Sequence, residues 1–260
     1  MADVSDAAAR LLVVLAHPDD ESFACGGTIA RAAASGCDVT LVCVTRGGSG
    51  LSQPSTEELR EALMQQRVRE LQQACRVLGV SRVEVLGYVD GAVKWADPGT
   101  LEQQIAAAVA ATRPHAVITF GPDGLYWHAD HIAVGARTRA ALEIAGGVET
   151  ALYHVHLDRD AVAGFLGAVR RSHPEADESL WGVPAGAFGL LAPSPTLVVD
   201  VRPWIDVKLA ALRCHASQLG PTHPLMLTDA ETAARWLGRE YFRLAPESPS
   251  DRSFLDGFGA

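Results

Sequence analysis

The sequence predicts an α/β protein whose doubly wound, mostly parallel sheet carries helices on both faces. Three observations predict it. Apolar runs at 12–15 and 116–120 lack the period-two alternation of a half-exposed strand, so they suit strands covered on both faces. Strand-like and helix-like segments alternate four times before about residue 145. Two of the strands also end alike, in a Gly or Pro turn followed by His and Asp at a helix start.

In chain order, the run Leu12, Val13, Val14, Leu15 is the first strand, stopped by Pro18. Small residues over 26–34 predict a helix lying close against the sheet, and 38–45 a second strand. The Arg46-Gly-Gly-Ser-Gly50 loop follows. It has the spacing of neither phosphate-binding glycine motif and no helix directly behind it, which speaks against a nucleotide cradle. Apolar residues at Leu59, Leu63, Val68, Leu71, Cys75 and Leu78 have a helical period, so 56–78 reads as an amphipathic helix ended by Gly79. A third strand over 83–87 ends in a turn at 88–91, and an alanine-rich helix over 100–112 is closed by Pro114. A fourth strand at 116–120, a loop to His131 and a small-residue helix to about residue 145 repeat the opening arrangement. A fifth strand covers 150–156. The mixed stretch 158–195 reads as a lid or rim, 196–201 as a late strand, 204–218 as a helix led by Pro203, and 219–260 as a peripheral segment. The whole is a Rossmann-like arrangement in one domain over 1–260, in which two strand ends meet where the strand order reverses.

Bulk properties bound the function. The chain has 260 residues, 48% of them hydrophobic, enough for one sizeable core. A formal charge of −9 and the absence of a basic stripe argue against nucleic acid or an anionic membrane as partner. No run approaches the roughly 20 apolar residues of a membrane span, and the first apolar run lacks the basic flank of a secretory signal. The 5 cysteines show no C-x-x-C spacing and read as reduced thiols, so a cytoplasmic location is expected.

The chemistry concentrates in His17-Pro-Asp-Asp-Glu21. An ordinary strand-to-helix turn needs one capping Asp, not an imidazole and three carboxylates, which would repel one another if enclosed without a cation. His nitrogen and carboxylate oxygen suit zinc or another divalent transition metal, and a catalytic ion typically takes three protein ligands. This segment supplies two, and 128–131 is the natural source of a third.

Ala16-His-Pro-Asp-Asp-Glu21 together with His128-Ala-Asp-His131 resembles the signature of the LmbE-like, PIG-L-type zinc deacetylases, which remove N-acyl groups from glucosamine-containing substrates. Arg67-x-x-Glu70-Leu71, Leu78-Gly79-Val80, Asp90-Gly91 and His215-Ala-Ser-Gln218 extend the likeness from about residue 12 to about residue 242. The resemblance implies that His17, Asp20 and His131 hold zinc, or iron in its place, and that Asp19 is the general base for a metal-activated water. It implies that His128 stabilises the oxyanion and, as imidazolium, protonates the departing amine, with Asp130 orienting it. Tyr126 would assist the tetrahedral intermediate, and Arg67 and Asp90 would bind the sugar. Glu21, His215, Ser217 and Gln218 are expected to be supporting residues. Ala129 stands where many relatives have proline, and Trp127 replaces a common glycine. The implied partner is a small amino-sugar conjugate, and a homo-oligomer is compatible with it. The competing readings are a dinucleotide-binding oxidoreductase on the same sheet and a metal-binding protein without catalysis.

Overall fold

The computed structural model describes residues 8–49, 54–147, 149–190, 192–246 and 248. Gly50 of the glycine loop and parts of 1–10, 158–195 and 219–260 lie outside them. Five strands run parallel: β1 (Arg10–Leu15), β2 (Asp38–Thr45), β3 (Arg82–Tyr88), β4 (Ala116–Phe120) and β5 (Ala151–His156). Two more, β6 (Leu197–Asp200) and β7 (Arg239–Leu244), extend the sheet antiparallel through β7, giving the order β3-β2-β1-β4-β5-β7-β6. The order reverses between β1 and β4, whose carboxyl ends therefore open onto a shared crevice. This is the doubly wound sheet that the sequence predicts.

The helices are α1 (Asp20–Ala34), α2 (Glu57–Leu78), α3 (Pro98–Thr112), α4 (Gly124–Trp127), α5 (Ala129–Ile144), α6 (Arg159–Ser172), α7 (Ile205–Cys214), α8 (Pro224–Leu227) and α9 (Ala230–Leu237). Helices α1, α2 and α7 pack together, and α3 packs on α5. Right-handed crossovers on the two sides of the β1/β4 switch put these groups on opposite faces. The α2 boundaries follow local chemistry: the Thr56 hydroxyl accepts from Leu59 N at 3.3 Å, and Gly79 closes the helix at φ 80°. Helix α3 begins earlier than its alanine run, because Asp97 caps it and Pro98 takes its first turn.

Two expectations need correction, and the structure adds detail to a third. The segment after 219 is not peripheral throughout, since β7 lies inside the sheet between β5 and β6 with Phe242 fully buried. The helix read over 204–218 ends at Cys214, and His215 leads a short turn. The stretch 158–195 contains the regular helix α6, whose Val162, Phe165, Leu166 and Val169 join Leu180, Phe188, Leu209 and Leu225 in an apolar cluster beside the main core.

Helix α1 explains why β7 is internal. Cys25 leaves helical geometry at φ −149°, ψ 19°, which splits the helix and frees amides in its middle. The Glu240 carboxylate accepts from Gly27 N at 2.9 Å and Thr28 N at 2.7 Å, and Lys208 Nζ, 2.6 Å away, balances its charge. Glu240 thus caps the second half of α1 from a distant strand. Gly27 has no room for a side chain: a Cβ there would lie 2.5 Å from Val201.

Candidate functional site

The crevice at the β1 and β4 ends is a cavity of about 200 Å³. His17, Asp19 and Asp20 reach it from the β1–α1 turn, Leu125, Tyr126 and His128 from the β4–α5 connection. Arg67, Ser49 and Asp90 form one wall, and Phe23 and Trp181 another.

Three donors converge. His17 Nδ1 lies 3.2 Å from His131 Nε2 and 3.3 Å from Asp20 Oδ2, while His131 Nε2 lies 3.3 Å from Asp20 Oδ1. Donor atoms about 2.0–2.1 Å from one tetrahedral ion stand roughly 3.3–3.4 Å apart, close to the His17–His131 spacing and to the distance from each imidazole to its nearer Asp20 oxygen. The outer nitrogens agree. His131 Nδ1 is 3.1 Å from Gly124 O, and His17 Nε2 is 3.3 Å from Asp130 Oδ2 and 3.2 Å from Asp90 Oδ1. Giving each outer nitrogen the proton leaves both inner lone pairs aimed at the same point. His131 is held flat by Phe120, rings stacked 3.9 Å apart.

Two other triplets, His17–His128–His131 and His17–Asp90–Asp130, also bring ligand atoms within 4.8 Å of one another. In the second, His17 offers Nε2 to two carboxylates, of which Asp130 accepts two backbone bonds, from Gly91 N at 2.7 Å and Val93 N at 3.0 Å, where Asp20 accepts one, from His17 N at 2.8 Å. In the first, His128 Nδ1 accepts from Asp130 N at 3.3 Å, and the set lacks the anionic charge that Asp20 brings. Asp20 is buried, yet His131 and His17 hold its carboxyl well below the usual carboxylate range.

Asp19 sits beside this point in a strained turn, at φ 110°, ψ −28° and with no side-chain cap bond. Burial pushes its carboxyl up to about 6 against the pull of Arg67, whose Nη2 is 3.2 Å from Asp19 Oδ2. Leu125 and Trp127 also have positive φ, both 66°, in the turn that delivers Tyr126 and His128. Trp181 has φ 50° before Gly182 at 78°, in a two-residue turn that Leu180 and Val183 close with backbone bonds of 3.1 and 2.8 Å.

Several residues have partners that the sequence did not specify. The Asp130 carboxylate faces His17, and only its backbone N–H meets His128. Burial, then the neighbouring His131 and His17, push the His128 imidazole down to about 4, so it rests neutral rather than as imidazolium. With Nδ1 accepting from Asp130 N, its proton belongs on Nε2, which makes that nitrogen a donor. Arg67 lines the cavity but gives Nη1 to Gly47 O at 3.1 Å and Ser49 O at 2.9 Å, and Nη2 to Pro18 O at 2.7 Å as well as to Asp19. Asp90 accepts from Ser49 N at 2.8 Å and faces His17. The described part of the glycine loop, 46–49, therefore packs around a guanidinium: a Cβ on Gly47 would lie 2.6 Å from Arg67. Among the described residues this leaves no phosphate cradle, against the dinucleotide reading. Phe23, Ser49, Leu125, Trp181 and Gln218 line the cavity without having been singled out as contacts. Of these Gln218 carried a signal in its H-A-S-Q segment, and Trp181 as an aromatic of the stretch read as a lid or rim.

Comparison with known proteins agrees with this geometry. Residues 12–142 match the family model described as PIG-L, GlcNAc-PI de-N-acetylase. A 1D-myo-inositol 2-acetamido-2-deoxy-alpha-D-glucopyranoside deacetylase of Thermomonospora curvata is 32% identical over 292 residues, covering 98% of this chain and 96% of the relative. The protein of the same name from Mycobacteroides abscessus is 35% identical over 235 residues, covering 81% of each. The N,N'-diacetylchitobiose deacetylase structure from Pyrococcus horikoshii shares the fold, with TM-score 0.60 at 21% identity over 94% of this chain and 88% of that one. A strand-end crevice with convergent His and Asp donors, joined to likeness along almost the whole sequence, makes this chain a member of the PIG-L family of de-N-acetylases.

Proposed function

We propose that the protein hydrolyses the N-acetyl group of a glucosamine-containing small molecule, with a divalent ion, zinc by its donor set, held by His17, Asp20 and His131. The observation that carries this is the convergence of His17 Nδ1 and His131 Nε2, 3.2 Å apart, on the two oxygens of Asp20, each 3.3 Å from one of them, beside the buried Asp19 carboxylate. Two neutral imidazoles and one carboxylate suit zinc, with ferrous iron the alternative of similar preference. When bound, such an ion supplies Lewis acidity, bringing the pKa of water to about 7 and polarising the acyl oxygen.

The chain's own residues do the rest. Asp19 accepts the proton of the attacking water, its carboxylate held by Arg67. His128, resting neutral, offers its Nε2–H to the acyl oxygen as negative charge grows there. Burial pushes the Tyr126 phenol up, so it remains a neutral O–H donor close to His128, ring centroids 5.7 Å apart. The proton taken by Asp19 is then available to the departing amine. Asp130 fixes the ring of His17, while Asp90 and Arg67 form the polar wall that sugar hydroxyls meet.

The named relatives make N-acetylglucosaminyl inositol the first substrate to try. Purified protein reconstituted with zinc should release free amine from it, or from another member of a panel of N-acetylglucosaminides, and Asp19→Asn should reduce turnover by about 10²–10⁴-fold while keeping the metal. Absence of amine release across the panel, or full activity of Asp19→Asn, contradicts the proposal. Full activity of the variant would remove Asp19 as the base while leaving the hydrolysis standing, whereas bound metal with no amine release would leave only the metal-binding reading.

A further inference from the structure

We propose that Glu21 and His215 are positioning residues for Asp19, acting on the backbone of its turn and not on substrate; the inference rests on Asp19 being the base proposed above. Asp19 holds φ 110°, a conformation that persists only where the surroundings over-determine it. Its N–H lies at a helix start and has no partner within the helix. It donates instead to Glu21 Oε2 at 3.1 Å. The other oxygen, Glu21 Oε1, is 2.7 Å from His215 Nε2 and also accepts from the Ser22 hydroxyl. Glu21, Ser22 and His215 are all buried, and His215 forms no part of the cavity lining.

A buried carboxylate without a partner takes up a proton or moves toward water. His215 therefore keeps Glu21 in place as an acceptor, and Glu21 keeps the Asp19 peptide in its strained orientation. Asp19 is restrained from two sides: Arg67 holds its carboxylate and the Pro18 carbonyl of its peptide, and the Glu21–His215 pair holds the N–H of that same peptide. The second restraint arrives from 194 residues away in sequence, at the end of α7.

The test compares wild type, His215→Ala and His215→Gln, each loaded with zinc, by kcat, KM and metal content per chain. His215→Ala should keep its metal and hold KM within about twofold while kcat falls on the order of 100-fold, the loss expected when a reacting group is displaced by about 1 Å. His215→Gln should recover most of that loss, since its amide N–H can donate to Glu21. A kcat for His215→Ala within about threefold of wild type overturns the inference. So does loss of metal and of KM together with kcat, which would mark general damage, or a Gln variant no better than Ala. If His215→Ala does not fold, Glu21→Ala, which removes the acceptor, carries the test: lowered kcat with KM and metal unchanged supports the inference, and unchanged kcat overturns it. A wild type inactive on every N-acetylglucosaminide overturns the deacetylase reading and this inference together. An active wild type with an unaffected His215→Ala overturns this inference alone.

Discussion

Asp19 lives between two opposing influences, and its proton reports the balance. Burial raises its carboxyl to about 6, while the Arg67 guanidinium works against that rise. A base acts only when ionised, so turnover should fall as the pH drops through about 6, by about a decade per unit well below it. Arg67→Gln removes the opposing charge, and its acid limb should lie at higher pH than that of wild type. A bound cation shifts both curves down together without reversing their order, so pH–rate profiles of the two proteins check the sign. Stability carries the opposite slope. A carboxyl whose folded pKa is raised makes the fold less stable as the pH climbs from the ordinary Asp range to about 6, a sacrifice typical of catalytic groups. At this scale the residue types were legible and their partners were not. The excess of ionisable groups in 17–21 marked a metal site, but nothing in the sequence said that Arg67 would turn inward to Pro18 O, or that the Asp130 carboxylate would choose His17 over the nearer-numbered His128. Spacing along a chain fixes neighbours on one helical turn, whereas these contacts cross between elements.

Helix α1 shows the same limit one level up. Small residues after Gly26 mark a helix against the sheet, yet the break at Cys25 and the distant Glu240 cap have no local signature. The strand 239–244 escaped because its inward positions include the charged Glu240, buried as deeply as a core residue, beside Phe242. Alternation read as hydrophobicity fails when a buried position has an electrostatic task. Glu240→Ala leaves Lys208 charged and buried and two α1 amides without an acceptor, so it should destabilise the fold by about 3–5 kcal/mol. Urea unfolding measures the loss. The double variant Lys208→Met with Glu240→Gln keeps an amide acceptor and no uncompensated charge, and should recover part of it. Strain is placed at this level too. Among the described residues, non-glycine positive φ occurs at five positions, of which Asp19, Leu125 and Trp181 line the cavity and Trp127 lies between Tyr126 and His128. Tight turns at strand ends thus trade backbone comfort for side chains aimed at one point.

For the whole molecule, the decisive element was the repeated strand-turn-His/Asp pattern, since a doubly wound sheet has one place where two such ends can lie side by side. The β1/β4 pairing, with Leu11 opposite Ala116 and Val13 opposite Ile118, puts the 17–20 and 128–131 segments there. An ion bridging those segments binds the folded form and not the unfolded chain, so it stabilises by mass action. Removing it with a chelator should lower the melting temperature, readdition of zinc should restore it, and His131→Ala should be insensitive to both. Calorimetry with and without chelator checks this. No described helix is long and apolar enough to cross a membrane. The late strand β7 has a further consequence, in time rather than space. At a synthesis rate of about 5–20 residues per second, Glu240 leaves the ribosome on the order of ten to forty seconds after Gly27. Both halves of the donor set emerge well before the residue that finishes α1, so the nascent polypeptide carries that helix without its cap until β7 has been made.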